Sequence, residues 1–180
     1  MELFNLSKQY NFYKEYHKNE INVLIHVICI PIIMWTISVF LTHFSTSIIN
    51  NPTFYLTNIY SVYYILLDKN LGSIMTMVFY FNWITSYYFY WYVSNSIHYV
   101  TILHIFSWIA QFVGHFYFEG NRPALTDSLI QAFLVAPIFV LIDIKHLFKT
   151  INPNNLYLLT WCTRVRPVSA GGIEILDNNY

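Results

Sequence analysis

Residues 103–125 read LHIFSWIAQFVGHFYFEGNRPAL. The segment is apolar enough to lie in a membrane, yet it carries two histidines, a glutamine and a glutamate. At helical pitch His104, Trp108, Gln111, His115 and Glu119 follow at intervals of four, three, four and four, which stacks them on one face. Polar groups are costly in hydrocarbon, so this stripe must face protein, water, a metal ion or a substrate rather than lipid.

The rest of the chain agrees with a membrane setting. Of its 180 residues 56% are hydrophobic and only 10% charged, and the mean hydropathy is +0.43; a soluble domain carries about a quarter charged residues. The expected organisation is one integral membrane domain over residues 1–150, followed by a polar tail over 151–180 that is at the surface or disordered. Zero net charge and the lack of a basic run argue against nucleic acid as a partner. Cys29, in an apolar run, and Cys162, in the tail, make no disulfide framework. Lys8, Lys14, Glu15, Lys18 and Glu20 in the first 22 residues break the order of a signal peptide, so the amino terminus is expected to be retained.

The fold class expected is all-α: a polytopic transmembrane helical bundle with four to five membrane helices and an amino-terminal amphipathic helix. Residues 4–19 set Phe4, Leu6, Tyr10, Phe12, Tyr13 and Tyr16 among polar neighbours, which suits a helix at the membrane surface or capping the bundle. Long apolar segments follow at 23–44, where Pro31 is tolerated as a kink, and at 73–93, 97–118 and 128–148. A shorter one at 53–67 would reach about 22 Å as a helix, short for a hydrocarbon core of about 30 Å. Seven of the nine basic residues flank the two ends of this set: Lys8, Lys14, Lys18, Lys145, Lys149, Arg164 and Arg166. Both termini are therefore expected in the cytosol, which requires an even number of crossings and leaves one of the five segments out.

Four histidines invite chemistry. His17 and His26 lie where the first helix meets the first span, with Asn19 and Asn22 between them; His104 and His115 lie in the opening stretch. Imidazole is the commonest biological metal ligand, and several together suggest an iron or zinc site. Any one alone on an apolar helix is more often a structural residue bonded to a nearby carbonyl. His104 and His115 are eleven residues apart, about 16 Å along a straight helix. They cannot share an ion bound at about 2 Å, so the helix breaks near Gly114, or one histidine has another role, or there are two metals. His115 and Glu119, at i and i+4, could reach one ion together. Which of His104 and His115 lies level with His17 and His26 depends on which segment fails to cross.

The phrases NFYKEYHKNEINVLIHVICIP, HIFSWIAQFVGHFYFEGNRPALTDSL and APIFVLID resemble the Mpo1-like family over about residues 8–148. The resemblance implies an iron(II)-dependent dioxygenase in the endoplasmic-reticulum membrane. Its expected activity is α-oxidation of long-chain 2-hydroxy fatty acids with O2 in phytosphingosine and sphingolipid degradation. The family's histidines map onto His17, His26, His104 and His115 as metal ligands. Glu119 is expected to be catalytic, and so is Arg122, whose guanidinium could hold a carboxylate as a bidentate fork or pair with Glu119 or Asp127. The family's late motif often carries glutamate where this chain has Asp143. The alternative is a non-enzymatic membrane protein that binds lipid or assists assembly, with structural histidines.

Overall fold

The computed structural model describes residues 4–120, 129–151, 165–168 and 172–175. Among them run six α-helices: α1 (Leu6–Glu15), α2 (Glu20–Thr42), α3 (Pro52–Leu67), α4 (Lys69–Tyr92), α5 (Ser96–Gly114) and α6 (Leu129–Ile151). A π-helical turn, His115–Glu119, continues α5. The tail supplies a short antiparallel hairpin, Val165–Val168 with Gly172–Ile175, pairing Val165 with Ile175 and Val168 with Gly172. Of the two states expected for the tail, at the surface or disordered, the hairpin departs from the second. Its β-branched Val165, Val168, Ile173 and Ile175 suit strands better than coil.

Local chemistry sets the helix starts. Asn5, Asn19, Asn51 and Asp68 are N-caps of α1 to α4, each accepting a bond from a first-turn backbone N–H. Pro52 opens α3, where its missing N–H costs nothing. Only Asp68 separates α3 from α4, so the two helices fold back on each other. Gly72 makes that turn possible, because a Cβ there would collide with the backbone carbonyl of Tyr64. Gly120, at φ 65°, ends the π turn in the left-handed region that glycine tolerates.

α2 is the centre of the bundle and packs on α3, α4, α5, α6 and the π turn. The core joins α1 (Leu6, Tyr10, Tyr13), α4 (Leu71, Met75, Phe79) and α6 (Val135, Ile138, Phe139, Ile142) around the fully buried Tyr64 of α3. Hence α1 caps the bundle rather than lying apart on its surface. Pro137 lacks the N–H that would bond the carbonyl of Phe133 four residues earlier. Tyr60 donates to that carbonyl at 3.2 Å, and Tyr64 to the next one, of Leu134, at 2.8 Å. The carbonyl that Pro137 leaves without a helix donor is thus satisfied from α3, as a water-poor setting requires.

Two described helical stretches are long and apolar enough to cross a membrane, Glu20–Thr42 and Ser96–Glu119. α4 has the length, but Asn82 and its many tyrosines lower its hydropathy.

Candidate metal centre

Three of the four singled-out histidines meet where α1, α2 and α5 converge. His17 follows the end of α1, His26 sits on the second turn of α2, and His115 opens the π turn. Their ring centroids lie 4.5 Å (His17 to His26), 4.8 Å (His26 to His115) and 4.9 Å (His17 to His115) apart. All three are buried, and one ring nitrogen from each lies within 4.8 Å of the other two. Two nitrogens each bound at 2.1 Å to one ion are at most about 4.2 Å apart, so a small inward turn of the rings brings the three onto one cation.

Hydrogen bonds fix which nitrogen faces inward. The Nδ1–H of His17 donates to the carbonyl of Tyr13 and that of His26 to the carbonyl of Asn22, both at 2.9 Å. This bond to the helix backbone leaves Nε2 as the free lone pair of each ring. His17 Nε2 and His115 Nδ1 are buried without a hydrogen-bond partner. Burial first, and the neighbouring His26 second, push the His17 pKa down to about 2. A neutral imidazole with an unpaired, buried lone pair is the form that binds a metal, so the donor set fits a divalent cation.

His104 is elsewhere and differently employed. Its Nε2 accepts from the Trp108 indole N–H at 3.0 Å, so its Nδ1 carries the proton and faces the Thr36 hydroxyl at 2.8 Å. Thr36 in turn donates to the carbonyl of Ile33 at 2.9 Å. Both nitrogens of His104 are spent on this chain between α5 and α2. The structure therefore brings His17, His26 and His115 together and leaves His104 out of the group.

Glu119 does not join the three rings either. Its Oε1 accepts from the backbone N–H of Lys18 (2.7 Å) and of Asn19 (2.8 Å) and from Asn22 Nδ2 (3.2 Å). The carboxylate thereby ties the π turn to the α1–α2 loop on which His17 stands. The stripe expected from α-helical pitch ends at Gly114, because a π turn adds a residue and four positions no longer complete a turn. At Gly114 α5 approaches α2 closely; a Cβ there would lie 2.5 Å from Asn22 Oδ1. Arg122 and Asp127 lie outside the described residues.

A polar cluster that sequence reading noted only as a departure from the family pattern supports His17 from behind. Asp143, wholly buried on α6, accepts from the Tyr13 hydroxyl at 2.6 Å and pairs with Lys14 at 3.3 Å. Burial and the Asp143 charge hold the Tyr13 phenol well above its ordinary pKa, so it remains a donor. The Tyr13 ring stacks on His17 with centroids 3.9 Å apart. The signal in the sequence was one acid within the apolar run VLIDI.

From the three histidines a cavity of about 200 Å³ runs down the bundle. Its walls include Ile30, Ile33, Met34, Ile37 and Leu41 of α2, with apolar side chains of α3, α5 and α6 opposite. From His26 to Leu41 the wall is about 22 Å long at 1.5 Å per residue. A saturated carbon chain with bonds of about 1.5 Å and tetrahedral angles advances about 1.25 Å per bond. The cavity therefore suits an acyl chain of medium to long length, its polar end at the imidazoles.

The sequence profile of the family described as 2-hydroxy-palmitic acid dioxygenase Mpo1-like matches residues 3–147. The chain belongs to the Mpo1-like family. Among curated proteins it is 34% identical over 147 residues to the 2-hydroxy-palmitic acid dioxygenase MPO1 of Saccharomyces cerevisiae, covering 82% of each chain. No solved structure matches it. The matched span of the Mpo1-like family includes all three convergent histidines, Glu119 and Asp143.

Proposed function

We propose that this protein is an iron(II)-dependent dioxygenase that shortens long-chain 2-hydroxy fatty acids by one carbon, with His17, His26 and His115 as its metal ligands. The observation that carries the reading is the set of three buried imidazoles, with two unpaired ring nitrogens, at the head of an apolar cavity. Structural histidines find partners, as His104 does on both nitrogens. The relative's name supplies the substrate class.

The reaction balances without a reductant: R–CH(OH)–COOH plus O2 gives R–COOH, CO2 and H2O. His17, His26 and His115 would hold iron(II), which would supply the redox chemistry. The chain does the rest. The α2 wall holds the acyl chain along the bundle, so that carbons 1 and 2 reach the imidazoles. Burial gains about 0.8 kcal/mol per methylene. Tyr13 and Asp143 hold the His17 ring, Asn22 holds His26, and Glu119 anchors the loop that presents His17. α1, lying over the histidines, keeps water from them.

The proposed setting is the endoplasmic-reticulum membrane, crossed by α2, α3, α4 and α5, with both termini cytosolic and the histidines at the cytosolic end, because α5 must run back toward the cytosol to bring His115 to His26. Exposed apolar side chains such as Ile59, Leu66, Phe81, Ile102, Phe106 and Phe116 support contact with lipid. The cellular role proposed is breakdown of 2-hydroxy acids derived from phytosphingosine.

The test is purified protein given iron(II), O2 and 2-hydroxypalmitate. Near-stoichiometric iron, oxygen uptake and a product one carbon shorter are expected, with palmitate inert. His17→Ala, His26→Ala and His115→Ala should each lose iron and turnover, whereas His104→Ala should keep iron. Intact protein that binds no iron, or binds it and leaves 2-hydroxypalmitate unchanged, overturns the reading.

A further inference from the structure

We infer that Gln111 is the residue that binds the substrate's carboxylate, through its side-chain amide N–H groups. This rests on the function proposed above and assigns a part of the site that the histidines leave open. Gln111 lies on α5, one turn before His115, and both side chains line the cavity. Residues four apart on a helix project from one face with Cβ atoms about 5–6 Å apart, which puts the amide beside the imidazole group. Gln111 is only 8% exposed, and its Nε2 is buried with no hydrogen-bond partner.

The other polar side chains of the wall are already engaged. Asn82 donates to Ser38 at 2.8 Å and Thr53 to the Ser38 carbonyl at 3.0 Å. Thr57 points to the carbonyl of Phe79, Tyr60 to that of Phe133, and Tyr13 to Asp143. Trp108 donates to His104. Besides the metal-facing histidines, Gln111 is therefore the polar side chain of the described wall whose donor is unused.

An unused buried donor calls for an acceptor, and a carboxylate is acceptor-only, with lone pairs to share between a cation and an amide. No lysine or arginine is among the described lining residues. A carboxylate brought into so apolar a wall needs hydrogen-bond donors as well as the cation. A hydroxyl could use either end of an amide; the carboxylate needs the end that is free here.

The experiment measures binding rather than turnover: radiolabelled 2-hydroxypalmitate and radiolabelled 1,2-hexadecanediol, each titrated into iron-loaded protein under argon in detergent. The diol keeps the chain and the 2-hydroxyl but lacks the carboxylate. Gln111→Leu should weaken binding of the acid by about 10- to 100-fold, the range for a hydrogen bond to a charged group. It should change diol binding by no more than about twofold. Gln111→Glu should weaken acid binding further, because it sets a like charge against the carboxylate. Iron content and helical circular dichroism confirm an intact site, and Gln111→Met replaces the leucine variant if that fails to fold. Equal losses for acid and diol, or no loss for either, overturn the assignment. Wild-type protein that binds the acid no better than the diol instead overturns the 2-hydroxy acid reading of the whole site.

Discussion

Replacing Glu119 separates a carboxylate that reacts from one that holds the site together. Its Oε1 takes three hydrogen bonds, two from backbone amides at 2.7 and 2.8 Å. Bonds to a charged acceptor contribute about 1.5–3 kcal/mol each when dry, and less where water can substitute. Lys18 is exposed and Asn19 half-buried, so water recovers part of both. Glu119→Ala should therefore cost about 2–3 kcal/mol of stability, and Glu119→Gln, which keeps a carbonyl acceptor, about 1 kcal/mol. The loop carrying His17 loosens in both. Loss of a residue that orients a ligand typically weakens metal affinity by about 10- to 100-fold. Chelator competition measures that affinity, thermal melting the stability, and oxygen uptake the turnover. With iron raised to saturation, the glutamine variant should recover most of its turnover, and the alanine variant a substantial part. A glutamine variant fully loaded with iron yet inactive would refute the clamp and make Glu119 a reacting group.

Three further outcomes test the surrounding architecture. Gly114→Ala places a Cβ 2.5 Å from Asn22 Oδ1 and 3.2 Å from Ile25 Cδ1; parting α2 from α5 should lower iron affinity more than it lowers helix content, read by metal analysis beside circular dichroism. Asp143→Leu leaves the Tyr13 hydroxyl buried and unpaired while the partly exposed Lys14 recovers water, and should cost about 2–3 kcal/mol, whereas Asp143→Asn, which still accepts from Tyr13, should cost less; denaturant melts compare the two. Thr57→Phe fills part of the cavity wall and should shift preference from 2-hydroxypalmitate toward 2-hydroxydecanoate, at roughly fourfold per methylene excluded; competition between the two acids reads the shift.

Much of the bundle could be read from apolar segments, because a span announces itself over some twenty residues. Residues 23–44 and 97–118 gave α2 and α5 almost to their ends. Residues 4–19 announced α1, but whether it lay on lipid or capped the bundle depended on Tyr10 and Tyr13 finding Tyr64 and Phe139, far away in sequence. The site was legible as residue types and not as a set. The choice between His104 and His115 turned on which way α5 runs past α2, which no single-residue propensity marks. Pitch arithmetic showed that the two could not share an ion; Gly114 marked the place where the regular helix ends. Asp143 and Gln111 each stand alone in apolar surroundings, and their meaning came only from what faced them.

His104 and His115 occupy one helix and began with equal claims; His115 is the more buried, but burial alone does not tell a ligand from a structural residue. Partnership does. His104 sits between an indole donor and a hydroxyl, a closed chain ending on the Ile33 carbonyl, and its ring needs nothing more. His115 Nδ1 and His17 Nε2 are buried with no such partner, a cost of about 1–3 kcal/mol for each polar group left unpaired. Several such costs at one point, next to an unused amide on the same helix, are hard to maintain in a fold only marginally stable unless something repeatedly occupies the site. A cation at the imidazoles and an acid at Gln111 remove all of them at once. The apolar wall beyond then explains why the acid must be a lipid: an acetate-sized ligand would satisfy the polar end and leave most of a wall about 22 Å long uncovered.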